Sequence, residues 1–283
     1  MIKLGLPNKG RLSDKSLEIL TRAGFCIQTK ERKLSAFCEN FMMEVIFARA
    51  SDIPRFIQEG IIDLGITGQD LVSEQGMEVE QILELGFGQA ELVLAAPKDV
   101  DREKLFSNRV RIATAYPQIT AKFCEAEGIQ VDLIPMSGAV ELAPKLGLAD
   151  AIVDLTSSGE TLRMNDLVPL MTLFESRACL FANKEKALQG NKTMDQIVMA
   201  FQSVLMAYEK KFLIANLPQK SLPDLTAIVP GLSGPTVMSI LGREDLCAIQ
   251  VVINTREMAH VINQLKRLGA SGILVTHIEQ LVP

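Results

Sequence analysis

Asp52–Thr67, DIPRFIQEGIIDLGIT, decides the fold together with its echo Ala139–Asp154, AVELAPKLGLADAIVD. The two segments align without gaps, setting Gly60 on Gly147 and Asp63 on Asp150. Each reads as an amphipathic helix, a glycine stop, an aspartate and a short buried strand. Any βαβ unit can produce this pattern. So can two similar lobes facing one cleft, where strand ends and helix starts converge and ligands of open α/β sheets bind.

Working outward, Ile2–Leu6 reads as a strand and Leu12–Ala23 as a helix stopped by Gly24. Glu44–Ala48 is a strand, Asp52–Glu59 the first helix of the echo and Asp63–Thr67 its strand. Gly68-Gln-Asp70 starts a further helix. The pattern restarts with strands Glu91–Ala95 and Val110–Thr114, a helix Thr120–Glu127 and a strand Val131–Ile134. The second half of the echo predicts a helix over Ala139–Leu146 and a strand over Ala151–Leu155. This alternation is the α/β signature. A long helix over Met194–Tyr208 then leads to strand Phe212–Ala215, helix Lys220–Ala227, strands Thr236–Ile240 and Ala248–Ile253, helix Arg256–Leu268 and strand Gly272–Thr276. That βαββαβ order is ferredoxin-like. It carries no catalytic constellation, so a regulatory or assembly role fits it better.

Composition narrows the chemistry. With 283 residues, 48% of them hydrophobic, the chain can fill two or three cores and has no disorder signature. A net charge of −5 argues against a general nucleic-acid binder, which needs a basic face, while a small basic pocket can still bind a small polyanion. No apolar run approaches the roughly 20 residues of a membrane span, and MIKLGLPNKGRL has no signal-peptide core, so a cytoplasmic protein is expected. Five scattered cysteines read as reduced. The two histidines, His260 and His277, both lie near the C-terminus and leave little for a Ser-His-Asp or Cys-His mechanism. Carboxylates, cations, a metal or backbone donors must do the work.

The most informative stretch is DLTSSGET, Asp154–Thr161, between a buried strand and a helix start. Thr156, Ser157, Ser158 and Thr161 offer hydroxyls, Gly159 allows close backbone approach to a phosphate, and Asp154 can accept from ribose hydroxyls or help hold a metal. An ordinary capped strand–helix turn has the same composition. Lys9-Gly-Arg11 follows the first strand, where two cations suit a diphosphate or triphosphate and equally suit a solvated turn. Arg49 closes a strand and can face the cleft. Asp70 can cap its helix or bind a ligand, and the sequence favours the cap. Glu141 lies near a predicted helix start, where its charge suits the dipole.

PNKGRL, RASDIP, DLGITGQD, LGLADAIVDLTSSGETLRMNDL and LGASGILVTHIEQ, taken in order, resemble the ATP phosphoribosyltransferase family in its long form, from Met1 to about Glu279. The resemblance implies a two-lobed, periplasmic-binding-protein-like α/β catalytic core with mixed sheets and helices on both faces, plus a C-terminal ferredoxin-like regulatory domain. Lobe I would be residues 1–90 and 182–210, lobe II residues 91–181, and the regulatory domain residues 211–283. It implies that N1 of the adenine of ATP attacks the ribose of phosphoribosyl diphosphate, with Mg²⁺ on the departing diphosphate, as the committed step of histidine biosynthesis. Phosphoribosyl diphosphate would lie on Asp154, Thr156, Ser157, Ser158, Gly159, Glu160 and Thr161, with Asp154 and Glu141 near the ribose. Lys9, Arg11, Arg49, Gly68 and Asp70 would hold ATP or phosphates. Histidine, as inhibitor, would bind at Asn216, Leu232, Thr236 and Gly272, and the chain would form dimers and hexamers. Other family members carry different residues, some acidic, at the position of Asn216; an amide oxygen can still accept the inhibitor's ammonium. The rival reading is a non-catalytic two-lobed binding module, against which stands the lack of a signal peptide or a basic helix-turn-helix segment.

Overall fold

A computed structural model describes residues 1–27, 34–188, 190–229, 231–232 and 234–282. It divides into two compact units, residues 1–21 with 25–195 and residues 22–24 with 196–283.

The first unit holds two sheets built alike. In one lobe β1 (Ile2–Pro7), β2 (Ser35–Phe37), β3 (Met43–Ala48), β4 (Leu64–Gly68) and β5 (Val79–Glu84) are joined with α1 (Ser13–Arg22), α2 (Ile53–Gln58) and α3 (Gln69–Gln75). The other lobe runs β6 (Ala90–Pro97), α4 (Arg102–Ser107), β7 (Val110–Thr114), α5 (Pro117–Ala126), β8 (Val131–Pro135), β9 (Ala151–Thr156), α6 (Glu160–Met164) and β10 (Leu167–Ser176). The chain then returns to the first sheet through β11 (Ala178–Asn183), followed by α7 (Lys184–Leu188). The sheet orders are β2-β3-β1-β4-β11-β5 and β10-β6-β9-β7-β8. In each, a central strand lies parallel to its two neighbours (β1 with β3 and β4, β7 with β8 and β9), and the next strand out is antiparallel (β11 on β4, β6 on β9). The sequence echo is therefore a repeated topology.

The repeat extends to single bonds. Asp63 donates its backbone N–H to Lys3 O and accepts the Lys3 N–H on its carboxylate at 2.7 Å. Asp150 does the same with Arg111, accepting its N–H at 3.0 Å. Gly60 and Gly147, which end the preceding segments, have φ of 70° and 71°, a left-handed conformation that costs glycine nothing.

The helix expected over Ala139–Leu146 is a correction. Only a 3₁₀ turn forms, Val140–Leu142, and Ala139 before it is left-handed at φ 52°. Two substitutions within the echo account for this. Pro144 stands where α2 has Ile57 and cannot donate to a helical ladder. Ile152 stands where β4 has Gly65, and a Cβ on Gly65 would come within 2.6 Å of the Ile53 side chain. Glycine lets α2 lie close on its sheet; isoleucine in the other lobe holds the corresponding segment away.

The second unit contains most of α8 (Lys192–Tyr208), then β12 (Lys210–Pro218), α9 (Leu222–Ile228), β13 (Thr236–Ile240), β14 (Arg243–Asn254), α10 (Met258–Arg267) and β15 (Ser271–His277). Its antiparallel sheet has the order β13-β14-β12-β15, the ferredoxin-like arrangement. Leu213, Ala215 and Leu217 alternate inward along β12 and pack with Leu225, Ile249, Val251, Val261 and Leu265 in one core. Among the described residues no helix is long and apolar enough to cross a membrane.

Candidate active site

Asp154 sits where β9 leaves the apolar interior. Ala151, Ile152 and Val153 are buried, and Asp154, Leu155 and Thr156 are half-buried. Strand alternation puts Asp154 on the same face as Ile152, which packs with Val140 and Leu162. That face also carries the 3₁₀ turn with Glu141. Burial pushes the Asp154 carboxyl above the ordinary carboxylate range; the Leu155 N–H, donated to Oδ1 at 2.8 Å, offsets part of this, and the Glu141 charge adds to the rise.

Past the strand, the Gly159 N–H donates to Thr156 Oγ1 at 2.9 Å and the Arg163 guanidinium to Ser158 O at 3.1 Å. Gly159 is left-handed at φ 69° and precedes α6 as its N-cap. Ser157, Ser158, Glu160 and Thr161 are exposed. The loop is thus folded by its own hydrogen bonds, with the Gly159 and Glu160 N–H groups on Thr156 Oγ1 and Ser158 Oγ, and it exposes the side chains of Ser157, Ser158 and Thr161.

The facing lobe contributes Asp70, on the first turn of α3, which is 1% exposed. The favoured reading of this residue as a helix cap is corrected: Gly68 is the N-cap, and having no side chain it supplies no capping bond. Asp70 Oδ1 instead accepts from Ser176 Oγ, and Oδ2 accepts from the Tyr116 hydroxyl at 2.9 Å. Arg11 forms an ion pair with Asp70 at 3.7 Å and donates to Gly88 O in the crossover between the lobes. A buried carboxylate needs such partners, and here they come from three different elements. Gly68 is buried beneath this cluster, and a Cβ there would run into Asp70.

Tyr116 ties the two sides together. Burial pushes its phenol well above the usual range, followed by the charge and hydrogen bond of Asp70; Asp154 adds to the rise and Arg11 opposes it. Arg11 and Asp70 from one lobe, and Tyr116, Asp154 and Glu141 from the other, therefore share one electrostatic neighbourhood. Lys9 is exposed on the loop that carries Arg11, and Arg49 is exposed at the end of β3. Sequence reasoning missed Tyr116 and Ser176. The signal for Tyr116 was its place beside Thr114 at the end of a buried strand, just before Pro117.

In the second unit, Asn216 on β12 lies opposite Ser271 on β15, and a Cβ on the neighbouring Gly272 would sit 3.4 Å from the Asn216 amide nitrogen. Thr236 opens the edge strand β13, opposite Gln250, and Leu232 is exposed in the loop before it. Asn216 and Gly272 are thus direct neighbours, while Thr236 lies two strands away across β14.

A family model described as ATP phosphoribosyltransferase matches residues 49–203, and one described as HisG, C-terminal domain matches residues 207–280. An ATP phosphoribosyltransferase of Methanosarcina barkeri is 42% identical over 290 residues, and one of Natronomonas pharaonis is 43% identical over 285, each covering all of both chains. Among solved structures, the ATP phosphoribosyl transferase (HisG:HisZ) complex from Thermotoga maritima superposes with a TM-score of 0.63 at 29% identity, covering 71% of this chain and 96% of that one.

Proposed function

The chain belongs to the ATP phosphoribosyltransferase family, the enzymes of the first step of histidine biosynthesis, and from that premise we propose how its residues divide the work. In the reaction the N1 lone pair of adenine forms a bond to C1 of the ribose, the bond from C1 to the diphosphate oxygen breaks, and its electron pair leaves with the diphosphate. Adenine N1 is unprotonated near neutrality, so the protein needs no strong base. It has to align two reactants and stabilise charge. The full-length relatives set aside the rival reading of a non-catalytic binding module.

Phosphoribosyl diphosphate lies on the Asp154–Thr161 loop. Asp154 and Glu141 accept from the ribose hydroxyls, and Thr156, Ser157, Ser158, Gly159, Glu160 and Thr161 hold the phosphates through hydroxyl and N–H groups. Lys9, Arg11, Arg49, Gly68 and Asp70 hold ATP from the facing lobe, and Tyr116 bridges the two sides. One observation carries this assignment: the Tyr116 hydroxyl of one lobe donates to the buried Asp70 carboxylate of the other at 2.9 Å, with Arg11 paired to the same carboxylate at 3.7 Å.

The donors also suit a metal. Among the described residues no three histidine, cysteine or acidic side chains cluster to hold an ion by themselves. Mg²⁺ is commonly bound by one or two carboxylates plus substrate phosphates, and Asp154, with the Glu141 charge near enough to act on it, would supply them. When bound, Mg²⁺ would neutralise charge on the departing diphosphate. Asp154 also orients the ribose, and the loop fixes the diphosphate for in-line departure.

The C-terminal unit binds histidine as feedback inhibitor at Asn216, Leu232, Thr236 and Gly272, and the working enzyme is a homo-oligomer of dimers and hexamers in the cytoplasm. Free Cys38, Cys124, Cys179 and Cys247, all buried, suit a reducing compartment. The test is turnover of ATP with phosphoribosyl diphosphate, Mg²⁺ and a pyrophosphatase, followed by absorbance with and without histidine. Histidine should suppress the wild type, and Thr236→Ala should relieve that suppression with catalysis largely spared. Product formed without histidine sensitivity would remove the inhibitor site from this unit.

A further inference from the structure

The first turn of α5 has an unusual hydrogen-bond arrangement. Its N-cap, Tyr116, gives no side-chain cap, and Pro117 has no N–H. The Tyr116 N–H is taken by Thr114 Oγ1 at 2.9 Å, and Thr120 N–H bonds within the helix to Tyr116 O. The remaining donors of that turn, Gln118 and Ile119, have no intrahelical partner. Both donate to the carboxylate of Glu74, each at 2.9 Å. Glu74 is on α3, in the other lobe. One lobe thus supplies the missing cap of a helix in the other, through two charge-assisted bonds.

The bonds form part of a ring. The start of α3 is fixed to the crossover between the lobes, since Gln69 N–H donates to Arg177 O and Asp70 N–H to Ser176 Oγ. One turn on, Glu74 grips the start of α5. Immediately before that start, Tyr116 returns to Asp70, and Ser176 closes on the same carboxylate. Crossover, α3, α5 and Tyr116 therefore form a closed circuit of hydrogen bonds around Asp70.

We propose that Glu74 is a positioning residue: its carboxylate clasps the N-terminus of α5 across the cleft, holding Tyr116 over Asp70 and the two lobes at the separation the transfer needs. This rests on the reading that the Asp70–Tyr116–Asp154 cleft carries the reaction. Its two carboxylate oxygens are occupied by the Gln118 and Ile119 N–H groups, so it acts through α5 and not on a reactant. Without it the lobes spend less time in the arrangement competent to hold both reactants, and apparent affinity falls by that fraction. The loss therefore appears mainly in KM, with kcat less affected.

The experiment is steady-state kinetics of the full chain as a double-mutant cycle of Glu74→Ala with Tyr116→Phe, with Glu74→Gln, Glu74→Asp and Asp154→Asn alongside. Glu74→Ala is expected to lower kcat/KM about tenfold in the wild-type background and by less than about twofold once Tyr116 has lost its hydroxyl, because residues acting as one unit are not additive. Glu74→Gln keeps one acceptor oxygen and should recover part of the loss, whereas the shorter Glu74→Asp should not. Should Glu74→Ala fold poorly, the Gln and Asp variants carry the same contrast. Wild-type kinetics in folded Glu74→Ala, or an undiminished tenfold loss in the Tyr116→Phe background, would overturn the clasp. If either occurs while Asp154→Asn is inactive, the clasp alone falls. A fully active Asp154→Asn would sink the cleft reading and the clasp with it.

Discussion

Asp52–Thr67 and Ala139–Asp154 descend through the same plan and end in different chemistry. Both finish with a left-handed glycine, an aspartate that clamps the neighbouring strand, and a strand that starts buried. In the first, glycine at 65 admits a tight helix, and Thr67 at the strand end is buried and donates to Ala50 O at 2.7 Å. In the second, Ile152 and Pro144 prevent that helix, and the positions of Pro54 and Thr67 are taken by Glu141 and Asp154. One copy finishes its strand as structure; the other loosens the same turn and brings two carboxylates to it. On the proposed assignment, a lobe becomes a site by giving up packing at one turn while its frame stays intact.

The sharpest way to break this contrast is to change the two strand ends. Asp154→Asn should lower kcat by about 10²–10³-fold, whereas Thr67→Val, at the matching position, should cost stability by roughly 1–3 kcal/mol, by leaving Ala50 O without its donor, and little rate. Equal losses of rate in the two variants would erase the distinction. The Asp154 variant also has a signature in stability. Because the folded carboxyl has its pKa raised, its ionised form costs stability: the favourable contribution is present at low pH and is lost as pH rises through the folded value. Asp154→Asn should therefore melt slightly higher than wild type at pH 7.

Glu141→Gln should act more gently, lowering kcat/KM about tenfold, the value of roughly one hydrogen bond. It also tests electrostatics. If ionised Asp154 is required, the rate falls as pH drops through its raised pKa, and removing the Glu141 charge should move that acid limb to lower pH. A pH profile that does not move would separate the two carboxylates.

The shared frame should respond equally in both copies. Gly60→Ala and Gly147→Ala each force a side chain into the left-handed region, with φ of 70° and 71°, and each should cost roughly 1–2 kcal/mol with turnover near normal. Thermal melting checks the match, and a large loss of activity in one alone would show that the frame is not equivalent.

Much of this was legible in the sequence because it is written in local pattern. Gly60, Gly147, Asp63 and Asp150 mark repeated turns, and Asp154–Thr161 declares a loop after a buried strand. The predicted helix over Ala139–Leu146 failed because its apolar spacing is helical while Pro144 and the tertiary neighbour Ile152 oppose a tight helix. Asp70 looked like a cap because its true partners, Ser176 and Tyr116, lie 106 and 46 residues away. The Glu74 bonds span 44 and 45 residues and join different lobes, so no local reading finds them.

The most direct test is amide hydrogen exchange of the full chain on adding phosphoribosyl diphosphate with Mg²⁺ and no ATP. Protection should concentrate in residues 154–161 and leave the matching segment of the first copy, residues 67–74, much less affected. Protection centred on residues 67–74, with residues 154–161 unchanged, would contradict the assignment of the ribosyl site to the second copy.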